Sequence, residues 1–211
     1  MEGTNCQITT MDCVRTQKLR KIRDEIVNLT NSPLYEYRRK NNYFPVIGEG
    51  NHRAKLMFIG EAPGESEAKT GRPFCGAAGK ILDELIESIG LKRADVYITN
   101  VVKDRPPNNR DPNPSEIALY GPFLQRQIEI IKPKVIATLG RFSTKYILEK
   151  FGLPEVSQSI SVLHGKAINA KVGFGPCVIV PLYHPAVVLY SSTSRKILEE
   201  DFEILKKMIR G

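Results

Sequence analysis

The chain has 211 residues, of which 41% are hydrophobic and 26% charged, so it can bury one core and is expected to form a single domain over 1–211. It has no run of about 18 apolar residues, which argues against a membrane span, and "MEGTNCQITTMDC" lacks the regions of a signal peptide, which predicts an intracellular location, cytoplasmic or at the nucleoid. The formal net charge of +8 favours a polyanionic partner such as DNA or RNA without requiring one.

Helical and strand patterns alternate along the chain. Apolar residues at helical spacing over 14–29 predict a helix, and "AKLMFIG" then predicts a buried strand. Next come a predicted helix in "AGKILDELIESIGL", a strand in "DVYITNVV" and a helix from Ser115 that kinks or resets at Pro122. A strand is then predicted in "KVIATLG" and a helix in "RFSTKYILEKFG". A Gly-rich hairpin-like stretch, "HGKAINAKVGFG", precedes a predicted strand in "CVIVPLYHP" and a last helix in "SRKILEEDFEILKKMIR". This alternation predicts a mostly parallel sheet with helices on both faces.

Three loops follow predicted strands: "GEAPG", "NVVKDRPPNNRDP" and "YHPAVVLYSSTSR". Because the carboxyl ends of parallel strands share one edge of the sheet, these loops are expected to meet at one cleft. Two nucleotide-binding motifs are excluded. Lys80 is followed by Ile81 rather than Ser or Thr, and the glycines of residues 60–79 never form a G-x-G-x-x-G pattern.

Three segments carry a resemblance to a known family: "GEAPGESEAKTGRPFCGAAGKILD", "VYITNVVKDRPPNNRDPNPSE" and "YHPAVVL". Together they resemble family 4 of the uracil-DNA glycosylases, a bacterial and archaeal group, over residues 47–205, with 1–46 as an N-terminal helical segment. The resemblance implies a three-layer α/β/α sandwich with a central, mostly parallel four-stranded sheet. It also implies base excision repair: a monomeric enzyme flips uracil out of single- or double-stranded DNA, hydrolyses the N-glycosidic bond and leaves an abasic site.

The resemblance assigns roles in uracil recognition to four side chains. Phe74 is expected to stack on the flipped base, and the Asn100 amide to accept from uracil N3–H and donate to O4, a pattern that cytosine reverses. Glu67 is similar to the glutamate that occupies the space of the thymine methyl group. His184 is expected to donate to uracil O2 as the bond breaks. From the residues alone, Phe74 could equally be a core residue, and a structural role is favoured for Asn100, which could stabilise a turn, and for His184.

Further residues are assigned to the water, the base and the DNA. Glu61 is the first candidate for orienting the water or stabilising the sugar cation, and Asn109 is the second candidate for holding the water. Small residues that bring backbone amides close to the base are Gly60, Ala62 and Gly64. Candidate DNA contacts are Val188, Leu189 and Arg195, although this stretch alone could equally be an ordinary lead into a helix.

The cysteines depart from the family pattern. The family holds a four-iron, four-sulfur cluster with four cysteines, but here Asp104 and Tyr120 stand at or beside two of those positions. Cys13 lacks a C-x-x-C partner, with Thr16 in its place. Cys75 and Cys177 are not natural substitutes, while Cys6 and Cys13 lie where the resemblance is weakest. Because a cluster requires thiolate ligands, we predict no cofactor and no metal, with packing or polar contacts involving Asp104 in their place.

Two other functions are alternatives to an active glycosylase. One is a non-catalytic relative that binds uracil or DNA, in which loss of activity accompanied loss of the cluster. The joint presence of Glu61, Glu67, Phe74, Asn100 and His184 favours the enzyme. The other is covalent capture of DNA by a histidine in the loop "AKTGRPF", which is disfavoured because that loop contains no histidine.

Overall fold

A computed structural model of the protein describes residues 10–210, with side chains described at 13–191 and 193–209. The helices of this part of the chain are α1 (Thr10–Val27), α2 (Tyr35–Lys40), α3 (Glu65–Thr70), α4 (Ala77–Ser88), α5 (Pro114–Ile131), α6 (Arg141–Lys150), α7 (Ile160–Leu163) and α8 (Ser192–Arg210). Its strands are β1 (Glu49–Gly50), β2 (Leu56–Gly60), β3 (Tyr97–Asn100), β4 (Val135–Leu139), β5 (Ile168–Val172) and β6 (Gly175–Leu182).

The strands of residues 10–210 form one six-stranded sheet in the order β1-β3-β2-β4-β6-β5. Its four inner strands are parallel, since β2 pairs in parallel with β3 and β4, and β4 pairs in parallel with β6. The outer strands β1 and β5 each pair antiparallel with their neighbours. The carboxyl ends of the four inner strands therefore lie along one edge of the sheet, where ligand sites of open α/β sheets are found.

Both faces of the sheet are buried. Every residue of β2 and β4 is buried, as expected for parallel strands that have helices on each side. Alternate strand residues enter two separate clusters: Met57, Ile59, Ile136 and Ile179 pack with residues of α1 and α5, while Phe58, Ala137, Val180 and Leu182 pack with residues of α4 and α8. In the second cluster Phe58 and Phe202 stack with ring centroids 5.7 Å apart. The result is a three-layer α/β/α arrangement.

The structure confirms the α/β class and the mostly parallel sheet, but the predicted number of four strands is wrong. The four predicted strands are the parallel ones, and β1 and β5 are additional. β1 has only two residues, and β5 alternates buried and exposed positions, so neither has the continuous apolar run of a buried strand. The stretch read as hairpin-like indeed contains β5 and the turn into β6.

Two helix predictions also need correction. The helix predicted over 14–29 spans Thr10–Val27. α5 continues through Pro122 as one helix, so the helix is not reset there. Pro122 and Ala118 are both exposed, so the carbonyl that loses its helical partner at proline lies on the solvent side. Within residues 10–210, no helix is both long and apolar enough to cross a bilayer.

Candidate active site

The loops that follow β2, β3 and β6 meet at a cavity of about 380 Å³. Eight of the predicted site residues line it: Glu61, Ala62, Gly64, Glu67, Phe74, Asn100, Asn109 and His184. Pro63, Ala78, Pro106, Arg110 and Ala186 line it as well. The sequence analysis did not assign these five residues, although all lie inside the quoted motifs. The cleft expected from the parallel strands is therefore present, and it is shaped by residues far apart in sequence.

Phe74 forms one wall of the cavity. Its side chain is buried, and its ring centroid lies 5.6 Å from that of His184. Gly60, the last residue of β2, lies against Asn100 and Phe74: a Cβ there would stand 2.3 Å from Asn100 Oδ1 and 2.7 Å from the Phe74 ring. Gly60 is required because no side chain fits between the strand end and the two groups, which identifies a packing role for a residue predicted to contact the base.

Asn100 presents an unused hydrogen-bond acceptor. It ends β3, it is 2% exposed, and its Oδ1 has no hydrogen-bond partner among the described residues. A buried polar atom without a partner is costly, and in a binding site it commonly marks where a ligand donor sits. Asn100 Oδ1 is thus suited to accept from an N–H group of a molecule in the cavity.

Lys103 holds the backbone beside Asn100 and was missed by the sequence analysis. Its fully buried Nζ donates to Thr99 Oγ1 at 2.7 Å, to Asn100 O at 2.6 Å and to Gln127 Oε1 at 2.6 Å. Burial lowers the pKa of Lys103 well below its ordinary value. Lysine is normally a surface residue, so no sequence pattern marks this one, apart from its position directly after the apolar residues Val101 and Val102.

His184 is arranged to act as a neutral hydrogen-bond donor. Its Nδ1 accepts from the backbone amide of Ala186 at 3.2 Å, which leaves the proton of the neutral ring on Nε2. Burial lowers the pKa of His184, and the nearby charge of Glu67 opposes this effect only in part. The ring is therefore neutral at neutral pH and can donate from Nε2.

Glu61 and Asn109, the two candidates for holding the water, have different surroundings. Burial, with a further contribution from the charge of Asp111, raises the pKa of Glu61 to about 7. Such a shift is typical of groups that exchange protons in catalysis. Asn109 is exposed, and its Oδ1 accepts from Arg105 Nε at 2.8 Å, so its amide nitrogen and the second lone pair of Oδ1 can still bind a ligand or water.

Glu67 is fixed by backbone amides rather than by a cation. Its Oε1 accepts from the amides of Cys75 and Gly76, both at 2.9 Å. Gly64 lies against the other carboxylate oxygen, since a Cβ at Gly64 would stand 2.7 Å from Glu67 Oε2. The carboxylate is therefore held in one position at the cavity wall, as a residue that excludes larger bases would need to be.

The predicted DNA contacts lie outside the cavity. Leu189 is 51% exposed and its neighbour Tyr190 is 87% exposed, whereas Val188 packs partly against the cluster on the α4 and α8 side of the sheet. Arg195 donates to Glu84 Oε2 at 2.6 Å and to Glu199 Oε1 at 3.0 Å. Its charge is thus already paired with two carboxylates, although its Nη1 donates in neither contact.

A buried polar network occupies the region where the resemblance places cluster ligands. Tyr120 Oη donates to Asp104 Oδ2 at 2.6 Å and lies 2.8 Å from Ser32 Oγ, while Arg38 Nη1 lies 3.1 Å from the same Asp104 oxygen. Arg38 Nη2 also donates to Val27 O at 2.7 Å. We call Ser32, Arg38, Asp104 and Tyr120 the Asp104 network. It joins the end of α1, α2, the loop after β3, and α5.

The residues at these positions do not fit a cluster bound by four thiolates. Thr16 Oγ1 lies 2.9 Å from His52 Nδ1, Cys13 is exposed, and Cys6 lies outside the described residues. Cys177 is buried in the sheet, and its burial raises the pKa of the thiol to about 11. Over the described part of the chain, no three His, Cys, Asp or Glu side chains are grouped so that they could hold a metal ion.

Known proteins resemble this chain over most of its length. A family model described as the uracil DNA glycosylase superfamily matches residues 47–206. A type-4 uracil-DNA glycosylase of Sulfurisphaera tokodaii is 50% identical over 191 residues, which cover 90% of this chain and 84% of that protein. A protein of the same description from Thermotoga maritima is 39% identical over 198 residues, which cover 93% and 97%. A type-5 uracil-DNA glycosylase of Pyrobaculum aerophilum is only 27% identical over 212 residues.

Proposed function

The chain belongs to the type-4 family of the uracil DNA glycosylase superfamily, and we propose that it flips uracil out of DNA and hydrolyses its N-glycosidic bond, leaving an abasic site for repair. One observation carries this proposal beyond the similarity. A single cavity contains an aromatic wall, an amide oxygen that has no partner within residues 10–210, and a neutral histidine donor, contributed by Phe74, Asn100 and His184.

Recognition of the base follows from its hydrogen-bonding edge. Uracil presents the N3–H donor and the O4 acceptor, which complement Oδ1 and Nδ2 of Asn100. Cytosine presents an acceptor at N3 and a donor at N4, so the same amide would oppose both of its groups. The Phe74 ring stacks on the face of the base, and the Glu67 carboxylate, fixed by two amides, excludes the methyl group of thymine.

Bond cleavage places negative charge on the departing base. As the bond between the sugar C1′ and uracil N1 breaks, its electron pair remains with uracil, and charge accumulates on O2. His184 Nε2–H donates to this oxygen, and because the ring is already oriented by Ala186, no reorganisation is needed. Water then bonds to C1′, and its proton passes to Glu61, with Asn109 as the second group that holds the water.

The proposal is tested with an oligonucleotide that contains one uracil, followed by alkaline cleavage at abasic sites. The wild-type protein is expected to cut this strand and to leave the thymine-containing strand intact. His184→Ala should lower the rate constant about 10²–10³-fold, the usual cost of removing one such donor. DNA binding without any excision by the wild type would instead support the non-catalytic relative.

We further propose that the protein works without an iron-sulfur cluster. The support is the Asp104 network, in which the side chains of Asp104 and Tyr120 are already joined by a hydrogen bond where thiolates would be needed. Purified protein is expected to be colourless, iron-free and active, and Cys13→Ser should leave its activity unchanged. Brown protein with about four irons per chain would refute this.

We also propose that the enzyme acts as a monomer on uracil-containing DNA inside the cell, on single or paired strands. The cavity is built from residues of one chain, so no second copy is needed to complete it. Light scattering of active protein tests this, since a stable dimer would contradict it.

A further inference from the structure

The Phe74 turn, residues 73–76, has a backbone conformation that its sequence does not favour. Phe74 has a φ of 47°, in the left-handed region that bulky side chains rarely adopt. A residue remains there only when its surroundings hold it, and such residues concentrate at functional sites. The backbone of Phe74 sets the position of its ring, which is the ring proposed to stack on the base.

Arg93 binds the carbonyl groups of this turn from outside the cavity. Its Nη1 donates to Phe74 O at 3.2 Å, and its Nη2 donates to Pro73 O. On the other side of the turn, Glu67 accepts from the amides of the next two residues. The Phe74 turn is therefore held at its carbonyls by a cation and at its amides by a carboxylate.

Arg93 is itself fixed by two carboxylates. Its Nε lies 2.7 Å from Glu49 Oε1 and its Nη1 lies 2.7 Å from Asp83 Oδ1, while its side chain is only 19% exposed. Hydrogen bonds from Arg72 and Arg93 lower the pKa of Glu49, so this carboxylate stays ionised. Arg93 thus has a defined orientation, and Arg93 is not among the residues that line the cavity.

We propose that Arg93 is a positioning residue for uracil excision, which acts by holding the carbonyls of Pro73 and Phe74 and thereby fixing the stacking ring. This inference rests on the proposed function. Without Arg93, the turn can relax toward the more common negative φ, and the ring moves away from the face of the base. Misplacement of a binding group by about 1 Å can cost on the order of 10²-fold in rate.

Arg72 offers a matched control. It also binds Glu49, through Nε at 2.8 Å and Nη2 at 3.0 Å, but its side chain is 60% exposed. Arg93→Met should lower kcat/KM on uracil-containing DNA about 10- to 100-fold and weaken inhibition by free uracil about 10-fold. Arg72→Met should change both by less than about twofold. Equal effects of the two variants would overturn the proposal.

A double-mutant cycle shows whether Arg93 acts through Phe74. In a Phe74→Ala background the stacking ring is absent, so Arg93→Met should cause almost no further loss of activity. An additive loss would show that Arg93 acts by another route and would overturn the proposal. If Arg93→Met does not fold, Arg93→Lys, which keeps the charge but not the two-carbonyl geometry, should give the same pattern with a smaller loss.

Hydrogen exchange tests the contact independently of catalysis. Amides of residues 71–80 should exchange faster in Arg93→Met than in the wild type or Arg72→Met, with α8 unchanged. Unchanged exchange in this segment would overturn the inference even if the enzyme is active. If the wild type is inactive but Arg93→Met still exchanges faster than the wild type in this segment, the proposed function is refuted and the hold of Arg93 on the turn is established.

Discussion

At the scale of single residues, the unpartnered oxygen of Asn100 leads to a prediction about base choice. Asn100→Asp should lower uracil excision and admit some cytosine, because a carboxylate can accept from the cytosine amino group where the asparagine amide repels it. The measurement is excision from strands that contain one uracil or one cytosine. Unchanged uracil activity would show that Asn100 does not contact the base.

Glu61 leads to a prediction about pH. Its pKa is raised from the ordinary 4.5 to about 7, so the carboxylate becomes dominant only above that pH. If Glu61 receives the proton of water, kcat should rise with pH through about 7, and Glu61→Gln should lower kcat and remove this rise. His184 does not account for the rise, because its pKa is lowered and its ring is already neutral there. Glu87→Gln, at an exposed site on α4, should keep the wild-type profile.

The raised pKa of Glu61 also predicts that it lowers stability as pH rises, whereas a carboxylate in a typical ion pair raises stability. A carboxyl whose folded-state pKa is raised destabilises the protein as pH rises from its unfolded value of about 4.5 to about 7. Glu61→Gln should therefore raise the melting temperature at pH 8 relative to the wild type, and this gain should shrink at pH 5. An equal gain in melting temperature at pH 5 and pH 8 would contradict a raised pKa for Glu61.

The sequence could predict that Phe74, Asn100 and His184 meet at one cleft, but not the backbone contacts of Arg93 and Lys103. Phe74, Asn100 and His184 lie in the segments that resemble the family, and all three line the cavity. Arg93 and Lys103 bind main-chain carbonyls, and a carbonyl is present at every residue, so no spacing in the sequence reveals which one is bound.

At the scale of elements, the Asp104 network connects the end of α1, α2, the loop after β3 and α5 through buried polar groups. Tyr120→Phe removes the hydrogen bonds to Asp104 and Ser32 at nearly constant volume and should lower the free energy of unfolding by about 1–3 kcal/mol. Arg38→Met leaves the Asp104 carboxyl without its cation and should cost about 3–5 kcal/mol.

Denaturant unfolding of each variant measures these costs. Arg23→Met is the control, because Arg23 and Asp24 form an exposed ion pair that should contribute less than about 1 kcal/mol. Similar losses of unfolding free energy in all three variants would show that the buried network stabilises the fold no more than an exposed ion pair does.

Element prediction succeeded where a strand is buried on both sides. β2 and β4 are short, fully buried runs, and their apolar character was sufficient to identify them. β1 and β5 lie at the edges, where one neighbour and half-exposed positions leave a weak pattern, so they appear only once the sheet is assembled. The sequence left open whether α5 kinks or resets at Pro122, and the single helix shows that packing outweighs the local preference for a reset.

At the scale of the whole molecule, the net charge of +8 predicts how the enzyme responds to salt. Binding of DNA releases counterions, so log KM for uracil-containing DNA should rise linearly with log salt, with a slope of about 0.9 per phosphate contacted in a duplex. Inhibition by free uracil, which is uncharged, should be nearly independent of salt. A KM without salt dependence would show that the positive charge does not face the DNA.

The Asp104 network has a consequence for how the protein matures in the cell. Two of its members, Ser32 and Arg38, precede the first strand, and their partners follow much later in the chain, yet all of them are supplied by translation. These hydrogen bonds form as the chain folds, and neither iron nor sulfide takes part in them. Oxygen does not break them. On the proposal that the protein works without a cluster, yield and folded fraction should be the same in hosts that are starved of iron, grown under oxygen or deficient in cluster biogenesis.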